Sequence, residues 1–212
     1  YLLMKNKYWS LKLVGILVVV FILQIFLKGF TELFLLESSD ILTRPWILLT
    51  SIFLHGSFIH LLLNGFALAL FGSILENIIG SRRFLILFFS AGLVASVFSS
   101  FFYNAALGAS GAIFGVLGSL IILRPHMTVW VSYIPMPMWL AGIVWAAQDI
   151  LGIFIPDNVA NFAHLSGLGF GLIYGYLVKE KKIFVKNKKR GKDDIMITKD
   201  ELEKWEEKVF RS

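Results

Sequence analysis

Six stretches of this chain are each long and apolar enough to cross a lipid bilayer, and that limits the possible folds more than any other feature. Crossing the hydrocarbon takes ~20 mostly apolar residues, with ~17 to 25 tolerated. The runs cover Leu11–Phe30, Gly56–Gly80, Phe84–Tyr103, Leu107–Leu123, Met136–Phe154 and Asn161–Val178. Of the 212 residues, 57% are hydrophobic and only 16% charged, which is a membrane composition. The expected fold is all-α: a polytopic membrane protein with six transmembrane helices. Too little chain is left over for a separate soluble domain. The expected organisation is a short N-terminal segment (1–10), a six-helix membrane domain (11–180) and a basic tail (181–212).

The placement of charge supports an even number of crossings. Lys and Arg in short loops favour the cytoplasmic side. With the N-terminus inside, six crossings put Lys5, Lys7, Lys12, Arg82, Arg83, Arg124 and Lys179 inside and leave Lys28 and Arg44 outside. The tail, which holds eleven of the twenty Lys and Arg, then also falls inside. An odd count would carry it across the membrane. Both termini are therefore expected in the cytoplasm, at the plasma membrane if the source is prokaryotic. The first apolar run is too long for a cleaved signal peptide, and no small-residue cleavage site follows it.

The net charge of +6 does not point to nucleic acid, because the basic residues cluster in "KEKKIFVKNKKRGK" directly after the last run. Such a cluster is drawn to anionic lipid heads at ~1 kcal/mol per basic residue near the surface. Beyond it, "TKDELEKWEEKV" pairs Thr198 with Glu201 as a capping box. An apolar stripe of Leu202, Trp205 and Val209 there predicts a short amphipathic helix. There is no cysteine, so disulfides, thiol catalysis and Cys-type metal sites are excluded. Residues 31–55 form the longest external connection. They are too apolar for a solvated loop and too charged for another crossing, and so are expected to lie half in the interface with Trp46 at headgroup depth.

Polar residues at membrane depth are costly, and each needs a reason. With the expected topology, the second, fourth and sixth helices all begin on the outer face. His60, Asn64, Ser110 and His164 then lie at similar depth, with His60 and Asn64 four apart on one helix face. Gly167, Gly171 and Gly175 follow His164 on one stripe, and Gly111, Gly115 and Gly118 give a smooth face on the fourth helix. Small residues let membrane helices approach closely, so the fourth and sixth are expected to pack. Ser110, near a helix start, has backbone N–H groups without helical acceptors around it. A hydroxyl, an imidazole and donors for an oxyanion are what amide hydrolysis needs. The bland alternative is that the glycines only pack helices and the polar side chains only join them.

Three motifs decide between these readings. In "HGSFIHLLLNG" (55–65), "GASGAIFG" (108–115) and "NFAHLSGLGFG" (161–171), in that order, the chain resembles the rhomboid intramembrane serine proteases. The resemblance implies a dyad of Ser110 as nucleophile and His164 as general base and then acid. It also implies oxyanion binding by His60, Asn64 and the Ser110 backbone N–H. Gly108 and Gly111 match the glycines flanking the nucleophile, and Gly167 and Gly171 match the packing face of the sixth helix. Asn161, at the start of that helix, is expected to be structural support. The fourth helix would be a short central one starting below the outer surface, with the site in a water-filled cavity. Residues 31–55 would be the half-submerged first loop, "GIFIPDNVANF" (152–162) a cap over the site, and the fifth helix a lateral gate.

The resemblance implies transmembrane protein substrates and neither metal nor organic cofactor. Two positions depart from the family pattern. The first loop lacks the Trp-Arg pair, having Arg44 two residues before Trp46, and the position four after the nucleophile, which can be Tyr, is Phe114. Asp149 is expected to be interfacial or structural, since the family works with a dyad, and Glu76 to be structural with Arg82 and Arg83 close by. His126 is expected to be solvated, and His55 to buttress the first loop or bind a substrate carbonyl. The runner-up is a catalytically inactive rhomboid-like protein that binds membrane segments. A transporter is disfavoured by the scarcity of intramembrane charge and the absence of an internal repeat.

Overall fold

Apolar side chains set the length of the long helices, and glycine or proline stands just beyond the ends of several of them. The computed structural model describes residues 8–155 and 159–188, with side chains through Lys179. The expected tail helix and the middle of the expected cap lie outside the described residues. Each of the six apolar runs carries a long helical segment. The first is α1 (Trp9–Phe26), which ends before Gly29, whose φ of +80° turns the chain into the short α2 (Phe30–Phe34). The run was expected to continue to Phe30; the left-handed turn at Gly29 ends it sooner.

A connection follows that contains β1 (Leu36–Glu37) and α3 (Ile47–Thr50). The second run is α4 (Phe58–Ala67), a π-helical stretch at Leu68–Gly72, and α5 (Ser73–Ile79). Ser57 caps it: its hydroxyl accepts the His60 N–H at 3.1 Å. Gly80, with φ +85°, reverses the chain into α6 (Ser81–Phe102). After β2 (Ala105–Ala106) comes α7 (Ser110–Leu123). A hairpin, β3 (Thr128–Val131) and β4 (Ile134–Pro137), turns at Ser132 and Tyr133, both left-handed. α8 (Met138–Phe154) and α9 (Asn161–Lys188) complete the order.

The described residues through Lys179 form one compact unit. Helix α7 sits at its centre, with Gly111, Ala112, Ile113 and every residue from Gly115 to Leu120 buried. The outer helices instead expose large apolar side chains, among them Phe26 (77% exposed), Phe66 (65%) and Ile173 (64%). Apolar exposure on that scale would be an aggregation hazard in water and is what a lipid-facing surface requires. Among the described residues three helical segments, Trp9–Phe26, Phe58–Ile79 and Ser81–Phe102, are long and apolar enough to cross a bilayer by themselves; α7 and α8 are shorter.

The glycine stripes bring three helices together, one more than their pattern suggested. A Cβ on Gly167 would lie 2.1 Å from the Gly111 carbonyl oxygen, and one on Gly171 2.1 Å from that of Gly115. Gly111 and Gly115 also face α6, where added Cβ atoms would meet Ala95 at 2.4 Å and Ala91 at 2.3 Å. So α7 lies backbone to backbone against α9 and side chain to backbone against α6. The Ser119 hydroxyl donates to the Gly171 carbonyl at 2.9 Å across the α7–α9 contact.

The first loop is fastened at several points. β1 pairs antiparallel with β2, Leu36 opposite Ala106 and Glu37 opposite Ala105. Arg44 donates to the Glu32 carbonyl at 2.8 Å and forms ion pairs with Glu37 and Asp40. Leu36, Ile47, Ile52 and Leu54 are buried while Trp46 stays half exposed. Glu76 is buried, and its partners differ from those its sequence neighbours suggested. It accepts the backbone N–H groups of Trp9 and Ser10, each at 2.9 Å, and the Ser81 hydroxyl at 2.6 Å. The carboxylate thus caps the N-terminus of α1, where open donors and the helix dipole favour an anion.

Candidate active site

Ser110 is the first residue of α7, and Gly108 shapes the chain's entry there. Gly108 has φ +123°, and a Cβ on it would sit 2.8 Å from Cε1 of the His60 ring. Only glycine meets both conditions without strain. The segment is held by the Gly108 N–H, which donates to the Ser51 carbonyl at 2.9 Å. The first α-helical bond runs from the Ile113 N–H to the Ala109 carbonyl at 3.0 Å. The N–H groups of Ser110, Gly111 and Ala112 precede it and form the electropositive end of the helix. The helix had been expected from Leu107; the Gly108 backbone places its start at Ser110.

Around this end the structure gathers residues from distant parts of the chain. His60, Asn64, Ser110 and His164 line one cavity of about 1350 Å³. His60 comes from the first turn of α4. The contact from the Gly56 N–H to its Nδ1 is a long 3.5 Å, and its Nε2 edge lies against Gly108. Asn64, buried one turn on, donates one amide hydrogen to the His60 carbonyl at 2.9 Å, so its second remains for another acceptor.

His164 arrives on the first turn of α9. Its ring lies flat on Phe114, centroids 4.3 Å apart and planes 8° from parallel. Phe114 is one turn below Ser110 on the same face of α7, so this stack sets the imidazole alongside that face. The missing tyrosine hydroxyl leaves the stack in place.

Asp149 stands behind this imidazole. Of the two expected roles, interfacial or structural, burial removes the first: Asp149 is 6% exposed, and its Oδ1 lies 2.9 Å from Nδ1 of His164. The signal that could have found it is a matched spacing: Asp149 and Gly152 are three apart on α8, Asn161 and His164 three apart on α9. A Cβ on Gly152 would lie 2.6 Å from the Asn161 side-chain nitrogen, so the two helices meet at both positions. Asn161 is buried there and donates to the Val159 carbonyl at 3.2 Å. The start of α9 is further held by the Phe162 N–H donating to the Tyr103 hydroxyl at 3.3 Å and by Phe162 stacking on Phe102 at 3.7 Å. Across the cavity Phe71 and Trp145 meet edge to face at 6.1 Å.

His55 is buried, its ring 5.0 Å from that of His60, and its backbone exchanges hydrogen bonds with the Gln24 side chain. It thus ties α1 to the base of the first loop. His126 is exposed. Among the described residues no cluster of His, Cys, Asp and Glu has the makings of a metal site.

Comparison with known proteins matches the rhomboid domain family model to residues 42–181. The chain belongs to the rhomboid family. It is 32% identical to the mitochondrial rhomboid protein 1 of Saccharomyces cerevisiae over 71% of this chain and 47% of that protein. It is 31% identical to the putative rhomboid protease YdcA of Bacillus subtilis, over 65% of this chain and 69% of that one. It is 38% identical to the rhomboid protease GluP of the same species, over 58% and 24%. The chain therefore spans about half or less of the length of several curated relatives. With its apolar helices, this rhomboid is a multi-pass integral membrane protein of all-α fold.

Proposed function

We propose that this rhomboid is an intramembrane serine endopeptidase that hydrolyses peptide bonds in or near the transmembrane segments of other membrane proteins through a Ser110/His164 dyad. The observation that carries this reading is Ser110 at the open end of α7, in one cavity with an imidazole stacked one turn below it. His164 takes the Ser110 proton as Oγ attacks the scissile carbonyl carbon, then returns it to the leaving amine. The oxyanion is received by the Ser110 backbone N–H and the side chains of His60 and Asn64. Water then hydrolyses the acyl-serine with the same imidazole as base. The cavity exceeds the ~300–1,000 Å³ of sites for small ligands, as a peptide substrate needs. A scissile bond in an intact helix is shielded, so substrates are segments that unwind readily.

The organisation proposed with it is a membrane domain over residues 11–180 that crosses six times, flanked by cytoplasmic segments 1–10 and 181–212. The basic tail rests on anionic lipid heads. Purified protein is incubated with a labelled single-span substrate and, separately, with a fluorophosphonate probe, comparing the parent with Ser110→Ala and His164→Ala. Cleavage and labelling by the parent, both lost in Ser110→Ala and both reduced to a small residual rate in His164→Ala, is the expected result. Cleavage undiminished in Ser110→Ala refutes the serine mechanism. A parent that binds the substrate but neither cuts nor labels is instead an inactive, segment-binding member.

A further inference from the structure

We infer that Asp149 is a third member of the site, a positioning residue whose carboxylate holds the Nδ1–H of His164 and so presents Nε2 to the serine. This rests on the protease reading above and extends it from two side chains to three. An ionised carboxylate only accepts hydrogen bonds, so the 2.9 Å contact from Asp149 Oδ1 puts the ring proton on Nδ1. The neutral imidazole then has its lone pair on Nε2, the nitrogen that must take the serine proton.

Two further observations separate this contact from an incidental one. The other oxygen of Asp149, Oδ2, is buried with no hydrogen-bond partner among the described residues. Among the described residues, His164 is thus the one polar side chain that the carboxylate addresses. A buried carboxylate so poorly supported is costly unless a cation forms beside it. The reaction forms that cation when His164 becomes an imidazolium. Secondly, the register is clamped by the Gly152–Asn161 contact one turn away, where α8 has no side chain and Asn161 fills the space. Asp149 itself does not line the cavity, so it sits behind the imidazole, away from substrate. No Lys, Arg or Glu is among the cavity-lining residues, and the other titratable rings there are His60 on α4 and Tyr103 after α6.

The proton inventory closes without the carboxylate changing state. The Oγ–H bond of Ser110 breaks as Oγ bonds to the carbonyl carbon, and the proton forms N–H at Nε2. The Nδ1–H bond to Asp149 persists throughout. The C–N bond of the substrate then breaks, and the Nε2 proton leaves on the amine.

The test uses the purified full chain, the labelled single-span substrate and the fluorophosphonate probe, comparing parent, Asp149→Asn, Asp149→Glu, His164→Ala and the double variant His164→Ala/Asp149→Asn. Loss of a group that orients a general base lowers kcat on the order of 10²-fold, with KM changed by less than about twofold. The labelling rate falls with kcat, and Asp149→Glu, which keeps the carboxylate, recovers part of both. In the His164→Ala background Asp149→Asn has no further effect on the residual labelling rate, because the group it positions is gone. Should Asp149→Asn not fold, Asp149→Ser and Asp149→Ala take its place, with the thermal unfolding midpoint as the check. A folded variant without the carboxylate that keeps the parent's kcat overturns the inference. So does an equal loss in the parent and His164→Ala backgrounds, which is the mark of a purely structural residue. If the parent itself neither cleaves nor labels, the protease reading falls and this inference with it. If the parent does both and Asp149→Asn matches it, this inference alone falls.

Discussion

Gly167→Ala adds one methyl group at one of the two tightest contacts between α9 and α7. The new Cβ would lie 2.1 Å from the Gly111 carbonyl oxygen and 3.0 Å from its carbonyl carbon. Both are backbone atoms of a buried helix, so no rotamer change relieves the clash. Restoring an ordinary contact of 3.4 Å moves α9 away from α7 by 1.3 Å. Overpacking on that scale costs about 1–3 kcal/mol of stability. The same movement carries His164, three residues earlier on α9, away from Ser110, and about 1 Å of misplacement costs on the order of 10² in rate. The assay is kcat on a labelled single-span substrate, with the unfolding midpoint followed by tryptophan fluorescence in detergent. Gly169→Ala is the control, since a Cβ there meets nothing within 4 Å. It is expected to leave both readouts unchanged. Gly167→Ala cleaving and unfolding like Gly169→Ala would refute the claim that this backbone contact sets the distance between base and nucleophile.

Gly108→Ala combines an unfavourable φ, costing about 1–2 kcal/mol, with a push on the His60 ring. Its kcat is expected to fall at least tenfold, roughly the equivalent of 1.4 kcal/mol, in the same cleavage assay. Phe114→Ala removes the stack beneath His164, worth about 0.5–1.5 kcal/mol, and should lower kcat by up to about tenfold, whereas Phe114→Tyr keeps the parent's rate. Glu76→Ala leaves three donors without their acceptor and should lower stability by about 2 kcal/mol, read as a drop in the unfolding midpoint. The fluorophosphonate labelling rate of its folded fraction in the cold is expected to equal the parent's, because Glu76 is remote from the cavity.

The long apolar runs made the helices legible in the sequence, since a segment of that length has few other structures open to it. The residues around the cavity were legible through three short motifs. The start of α7 was not, because Leu107 and Ala109 are as apolar as the helix that follows. Only the positive φ of Gly108, a property of the folded backbone, marks the boundary. The sequence predicts a structural role for Glu76, but the nearest charges along the chain are Arg82 and Arg83. Besides the Ser81 hydroxyl, the groups it binds are 66 and 67 residues away, at the head of another helix. Asp149 was hidden for a related reason. Whether it faces His164 depends on the register of α8 against α9, which hydropathy does not encode, and on one glycine making room for one asparagine.

The brevity of α7 acts as a ruler. Fourteen residues at ~1.5 Å each give a helix of ~21 Å, whereas the apolar layer of a bilayer is ~30 Å thick. With Arg124 at the inner boundary in the proposed orientation, Ser110 stands ~9 Å beneath the outer one. An extended chain advances ~3.3 Å per residue, so that depth corresponds to about three residues of unwound substrate. The bond that is cut would then be chosen by its distance from the membrane surface as well as by the residues beside it. Adding or removing one turn of α7 above the serine would displace the cut along the substrate.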